Sequence, residues 1–265
     1  MNKPSEVNVF CLPFAGGAFY SYNGLQRCTP DFIHTLPVDL PGHGKRIGEP
    51  LLVNIHDMAD DVFQQIKNDL DEPYAIYGHS MGATLGYLVA ERLERENMPK
   101  PLHLFFTGRQ GPPVKSKEKD AYMLPKERFI QRLKEYDGIP DEVLREKELM
   151  DFFEPILRAD FQAIGTYQYE DRPPLDIPVT VIIALEDNTT YEEALTWQKV
   201  TTRQITIRQF PGGHFFIFDH LHEIGQIISR NLSESLETVL TERRLGRPLK
   251  QKAEAPHDTG FIHPF

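Results

Sequence analysis

The pentapeptide Gly78-His79-Ser80-Met81-Gly82 follows the apolar run Tyr74-Ala75-Ile76-Tyr77 and precedes Leu85, Leu88, Val89 and Leu93 at helical spacing. A strand, a tight Gly-x-Ser-x-Gly turn and a helix would lift the serine hydroxyl clear of a sheet edge, ready to attack a carbonyl carbon. Glycines suit the flanking positions because side chains there would meet neighbouring backbone. The backbone N–H of Met81 would then point at the oxyanion that forms. A serine hydroxyl is a weak nucleophile at neutral pH; it needs a base within reach, and the base needs an acid to orient it.

Five histidines follow the apolar stretch Val179–Leu185: His214, His220, His222, His257 and His263. His214 lies directly beyond a predicted strand end, in Phe210-Pro211-Gly212-Gly213-His214-Phe215-Phe216, where the glycines let the loop turn in towards the serine. His220 and His222 begin a predicted helix and are expected to be solvated, while His257 and His263 fall in the C-terminal tail. His214 is therefore the predicted base, imidazole being the side chain suited to proton transfer near neutral pH. For the acid, Glu186 and Asp187 both follow Leu185. Adjacent carboxylates point differently and the sequence leaves both open, with Asp187 preferred. Its alternative use is to cap the helix near Tyr191, which Asn188, Thr189 or Thr190 could do instead. A second oxyanion donor is expected from the loop after the first strand, Pro13-Phe14-Ala15-Gly16-Gly17. Ala15 N–H is the choice there and Phe14 the neighbouring alternative.

The elements that must hold these residues are legible in periodicity. Val7–Leu12, Thr35–Leu40, Tyr74–Tyr77, Leu102–Thr107, Val179–Leu185 and Ile205–Phe210 read as strands. Ile55, Met58, Val62, Ile66 and Leu70 mark an amphipathic helix, and further helices are predicted after the elbow, over Tyr191–Val200 and over Leu221–Leu240. Strands alternating with helices imply an α/β fold, a parallel sheet covered on both faces with its sites at the carboxyl ends of the strands. The loops Pro13–Gly17, Pro41-Gly42-His43-Gly44, the elbow and Gly108–Pro113 all lie at such ends. The alternation breaks between Lys115 and Asp171, where only helical signals occur: Pro125–Tyr136, Asp141–Met150 and Phe152–Tyr169. We read residues 112–172 as an inserted helical subdomain. Its apolar groups, among them Phe153, Leu157 and Phe161, either pack on the body of the fold or form a lid lining an acyl pocket over the serine; both uses can hold.

With 265 residues, 40% hydrophobic and 11% aromatic, the chain can fill one large core, so disorder of the bulk is excluded. We place the α/β domain at residues 1–242 and expect 243–265 to form a poorly ordered tail. No apolar run approaches the ~20 residues that span a bilayer, and the N-terminus lacks the apolar core of a signal peptide. Cys11, in a predicted buried strand, and Cys28 make no disulfide framework, so a cytoplasmic location is expected. The net charge of −10 argues against nucleic acid as a partner. No CxxC, HExxH or GxxxxGK[ST] pattern supports a metal site or a phosphate cradle.

Together, Leu12–Gly17, Pro41–Gly44, Tyr77–Gly82, the Phe152–Tyr169 segment and Gly212–Phe216 resemble the type II thioesterases, the stand-alone editing hydrolases of nonribosomal peptide and polyketide synthases. The resemblance covers about residues 7–240. It implies an α/β-hydrolase fold and an acid after the sixth strand of that family, matched here by Asp187. The usual Gly-x-Asp-Asp is replaced by Ala184-Leu185-Glu186-Asp187, and Gly82-Ala83 stands where Gly-Gly is frequent. The resemblance further implies a substrate, an acyl group on the phosphopantetheine arm of a carrier protein, with no metal or organic cofactor. Phe14, His79, Phe153, Phe161 and Phe215 are expected to line the substrate pocket, and a monomer is expected. Carrier proteins are commonly acidic, so a chain of charge −10 needs a local basic patch to dock one. Lys115, Lys117 and Lys119 beside the lid are the candidates. The rival readings are an esterase, acyl-CoA thioesterase or acyltransferase on the same fold, and a non-catalytic binding protein.

Overall fold

The computed structural model describes residues 6–136 and 146–244. Six strands, β1 (Val7–Leu12), β2 (Ile33–Pro37), β3 (Tyr74–His79), β4 (Leu104–Thr107), β5 (Val179–Ala184) and β6 (Thr206–Phe210), form one sheet in the order β2-β1-β3-β4-β5-β6. Every neighbouring pair is parallel. Among the described residues the α-helices are α1 (Asn23–Gln26), α2 (Ile55–Ile66), α3 (Met81–Arg95), α4 (Lys126–Lys134), α5 (Lys147–Thr166), α6 (Tyr191–Leu195) and α7 (Leu221–Arg244). Among the described residues no helix is long and apolar enough to cross a membrane.

The alternating side chains of the strands feed two cores. From β1, Val7, Val9 and Cys11 face the layer holding Tyr22, Ile224, Ile228 and Leu232, whereas Phe10 and Leu12 face α2 and α3. The chain starts in the interior of the sheet, adds β2 on one side, then crosses back to lay β3 on the other. That reversal opens a crevice between the carboxyl ends of β1 and β3, the place where open parallel sheets bind their ligands. The Pro13–Gly17 loop and Ser80 both emerge there.

Three boundaries differ from expectation for physical reasons. The second strand is Ile33–Pro37 rather than Thr35–Leu40, because Asp39 leaves the ladder: its buried carboxylate accepts from Phe19 N (2.7 Å) and Lys45 N (2.9 Å), tying two loops together. The two helices expected over 141–150 and 152–169 are one helix from Lys147, running through Pro155, with 141–145 outside the described residues. Proline removes one backbone bond there, and the carbonyl left without it belongs to Asp151 on the exposed side. The last helix continues to Arg244, past the expected start of the tail at 243; residues 245–265 lie outside the described residues.

One buried histidine ties sheet stability to pH. His103 Nε2 is 2.8 Å from Thr180 Oγ1 and its ring stacks on Phe105 at 4.3 Å. Burial pushes its imidazole down to about 4, so between pH 4 and 6.5 the unfolded chain binds more protons than the folded one. The contribution is complete above pH 6.5 and is lost as the pH falls through that window. His103→Gln, which keeps a polar partner for Thr180, should shrink the stability difference between pH 7 and 4.5 by about 2 kcal/mol, measured by urea unfolding.

Candidate active site

The elbow is built as its glycines require. Ser80 adopts φ +53°, ψ −116°, a strained conformation for a residue with a side chain. Its N–H donates to Thr107 O (2.8 Å) and its carbonyl accepts from Ala83 N (3.1 Å), which over-determines the turn. A Cβ at Gly78 would run into the carbonyl of Gly82, and one at Gly82 would run into Leu12 O. Helix α3 can therefore press against β1 and β3 only with both glycines in place.

The loops after β5 and β6 complete a relay with Ser80. His214 Nε2 lies 2.9 Å from Ser80 Oγ, and His214 Nδ1 lies 3.0 Å from each carboxylate oxygen of Asp187. The Asp187 side chain is 2% exposed and that of His214 9%. An ionised carboxylate only accepts, so Nδ1 carries the proton and Nε2 is left to accept from the serine hydroxyl. Asn188 N also donates to Asp187 Oδ1 (2.7 Å). The neighbouring Glu186 points elsewhere: its carboxylate accepts from Gly212 N, and its own N–H donates to Gly212 O (3.1 Å), clasping the two loops together. The helix-capping role falls to Thr190, whose Oγ1 accepts from Glu193 N (3.2 Å) while Glu193 Oε2 accepts from Thr190 N (3.0 Å). Asp187 is thereby available to His214.

The two residues expected to offer oxyanion donors, Ala15 and Met81, border the cleft that holds Ser80. Met81 is the first residue of α3, and its amide is among those a helix leaves without an internal acceptor, at the positive end of the helix dipole. In the loop after β1, Gly17 N donates to Phe14 O (2.8 Å) and Gly16 N to Asp160 Oδ2 (2.7 Å). Neither bond uses the Ala15 amide. Ala15, Met81 and Ser80 line the same cleft.

That cleft encloses about 830 Å³ of space open to solvent. Leu133 and Tyr136, at and just beyond the end of α4, with Leu157 and Phe161 from α5, wall it opposite Phe14 and Phe215. Phe14 and Phe215 meet edge to face at 5.0 Å, and Tyr136 stands 4.9 Å from the His214 ring. Phe14, Phe161 and Phe215 line this cleft with Ser80, and the other two candidates, Phe153 and His79, do not. Phe153 lines a second cleft with Phe152, Tyr20 and His43. Eight residues of helix separate it from Phe161, which carries it about 12 Å along the axis and about 80° around it. His79 is fully buried beneath the site, with Nδ1 3.0 Å from Thr107 Oγ1 and its ring 5.0 Å from that of His214. Burial, and then the nearby His214, hold it well below the ordinary imidazole range. A neutral ring packs under the base without adding a second positive charge.

Of the three lysines, Lys115 and Lys119 are exposed on the surface. Lys117 is exposed as well, and it also borders the cleft, with Nζ 2.9 Å from Glu193 Oε2 and 2.5 Å from Asn188 O. Three further residues were not singled out from sequence. Arg109 lines the cleft, and burial lowers its guanidinium from the ordinary range. Asp160 and His43, both buried, meet behind the Ala15 loop at 2.9 Å. The available signal was a carboxylate inside the apolar stripe of α5, between Leu157 and Phe161, and a histidine in a glycine-flanked strand-end loop.

Residues 7–232 match the thioesterase domain family. Over 88% of its length the chain is 32% identical to the gramicidin S biosynthesis protein GrsT of Aneurinibacillus migulanus, of which it covers 91%. Among solved structures, ClbQ from the colibactin NRPS/PKS pathway superposes with a TM-score of 0.83 at 30% identity, over 89% of this chain and 100% of that one. The type II thioesterase BorB from the borrelidin biosynthetic cluster gives 0.78 at 30% identity, over 87% and 94%. The crevice at the β1/β3 reversal, the strained serine and these likenesses lead to one conclusion: the chain belongs to the thioesterase domain family, an enzyme of α/β-hydrolase fold similar to the type II thioesterases of NRPS/PKS pathways.

Proposed function

We propose that this protein hydrolyses acyl thioesters borne on the phosphopantetheine arms of carrier proteins, through an acyl-serine intermediate, with Ser80, His214 and Asp187 as the catalytic triad. The observation that carries the mechanism is the unbroken relay of 3.0 and 2.9 Å from Asp187 through His214 to Ser80. Ser80 Oγ attacks the thioester carbonyl carbon as His214 Nε2 takes its proton. The N–H groups of Ala15 and Met81 hold the resulting oxyanion, each such donor being worth about 3 kcal/mol to the transition state. Collapse expels the carrier thiolate, which receives the proton from His214. Water then attacks the acyl-serine with His214 again as base, releasing the carboxylic acid and restoring the serine. No step calls on a metal or an organic cofactor.

Two things support carrier-bound substrates: the NRPS/PKS setting of the relatives, and the largely apolar cleft beneath the α4–α5 cover, which suits an acyl group. Lys115 and Lys119, at the edge of that cover, are the charges proposed to meet an acidic carrier, the protein acting as a cytoplasmic monomer. The rival reading is a thioesterase for acyl-CoA or a soluble esterase. Rates on one acyl group presented as acyl-carrier protein, acyl-CoA and p-nitrophenyl ester separate them. We expect the highest kcat/KM on the carrier, reduced at least fivefold by charge reversal at Lys115 and Lys119 with rates on the small esters kept. Equal or faster turnover of acyl-CoA would overturn the carrier assignment.

A further inference from the structure

Behind the Ala15 loop lies a polar cluster that the mechanism above does not use. Asp160, on the buried face of α5, is fully shielded from solvent. Its Oδ2 accepts from Gly16 N at 2.7 Å and lies 2.9 Å from His43 Nε2, and its Oδ1 has no hydrogen-bond partner. His43, 3% exposed, places Nδ1 3.0 Å from Pro41 O. Both ring nitrogens face oxygen acceptors, which describes an imidazolium beside a carboxylate. Burial works against that charge. The Asp160 hydrogen bond and charge, then the Pro41 carbonyl and Asp39, outweigh it and raise His43 above the ordinary imidazole value. A charge pair removed from water this completely is costly unless both members are well bonded, so its position beside the oxyanion loop calls for a reason.

The loop supplies one. Gly16 adopts φ +75°, and a Cβ there would come within 2.7 Å of Leu157 Cδ2 on the same helix. The peptide that follows Ala15 is therefore gripped from one side by Leu157 and Asp160 of α5. On the other side, His43 links that grip to the strand-end loop after β2. Ile156 and His43 line the second cleft while Leu157 and Ala15 line the first, so this cluster is the wall between the two.

We propose that Asp160, held by His43, is a positioning residue that fixes the Ala15 N–H for the oxyanion, making helix α5 of the lid a structural part of the oxyanion hole. The inference rests on the triad and oxyanion roles proposed above. Any displacement of α5 would then withdraw the carboxylate from Gly16 and loosen the donor next to it, so that full transition-state stabilisation requires the lid helix in place.

The test is Asp160→Ala beside Asp160→Asn, assayed for kcat, KM and affinity for a boronic acid that mimics the tetrahedral adduct on Ser80. Loss of a fixed oxyanion donor should lower kcat by about 100-fold with KM changed less than about threefold. Boronate affinity should fall in proportion to kcat. Asp160→Asn can set its one amide oxygen where Oδ2 stands, still accepting from Gly16 N and from His43 Nε2, and should recover to within about tenfold of wild type. Unchanged kcat in a folded Asp160→Ala, or a fall in kcat with boronate affinity intact, would overturn the proposal. If Asp160→Ala does not fold, His43→Ala decides: a kcat at least tenfold lower at unchanged KM supports the couple, and an unchanged kcat refutes it. Ser80→Ala run alongside keeps the two readings apart. Retained turnover in Ser80→Ala would overturn the triad itself, whereas inactive Ser80→Ala with fully active Asp160→Ala would overturn only the positioning role.

Discussion

Ser80→Ala should lower kcat on an acyl thioester by about 10⁶-fold, and His214→Ala by a similar factor. The double variant should be no worse than either alone, because nucleophile and base act as one unit and removing either ends covalent catalysis. KM should change little, since the cleft walls proposed to bind the acyl group, Phe14, Leu157, Phe161 and Phe215, are untouched. What remains is the activity of a cleft that still offers the Ala15 and Met81 amides to an oxyanion. The fold should survive: Ser80 is held by backbone bonds to Thr107 and Ala83, which alanine keeps, although it must adopt the same strained φ of +53°. Stopped-flow or steady-state thiol release, with thermal unfolding as the control, measures both quantities.

Asp187→Asn should cost about 10⁴-fold in kcat while leaving the geometry intact. An asparagine amide facing Nδ1 donates where the carboxylate accepted. The imidazole then takes the other tautomer, with its proton on Nε2, and can no longer receive one from Ser80. Glu186→Gln is the informative companion. Its carboxylate accepts from Gly212 N and faces away from His214, so the amide oxygen can replace it and kcat should fall less than about tenfold. A reversed order, with Glu186 the costly substitution, would mean that the two loops rearrange when substrate binds.

The contrast between these adjacent acids shows what a sequence carries and what it withholds. Ser80, His214 and the Ala15 loop each sit on glycine-bearing turns at predicted strand ends, and a parallel sheet gathers those ends at one edge. Their meeting is a consequence of topology, which periodicity reveals. Which of two neighbouring carboxylates turns inwards is a matter of local backbone direction, and the structure alone shows Asp187 at 3.0 Å from the imidazole. The same limit explains the misplaced pocket residues. His79 alternates inwards from β3 and is buried under the base, and Phe153, one helical turn before the cleft-lining Leu157, lines the second cleft. Asp39, which ends β2 early, and Asp160, which ties α5 to the oxyanion loop, both act on loops distant in sequence. Asp160 bonds to Gly16 across 144 positions, and no local pattern marks such a contact. The helical stretch after β4 was legible as a break in strand alternation, but the continuity of α5 across Asp151, between the segments expected over 141–150 and 152–169, was not.

In the proposed mechanism the acyl group passes through Ser80. Intact-protein and peptide mass spectrometry after rapid acid quench of the enzyme with an acyl thioester tests it directly. An adduct of the acyl mass is expected on the peptide carrying Gly78–Gly82, appearing faster than product acid and absent from Ser80→Ala and His214→Ala. Turnover that proceeds with no acyl group on that peptide, or an adduct on another residue that persists in Ser80→Ala, would contradict it.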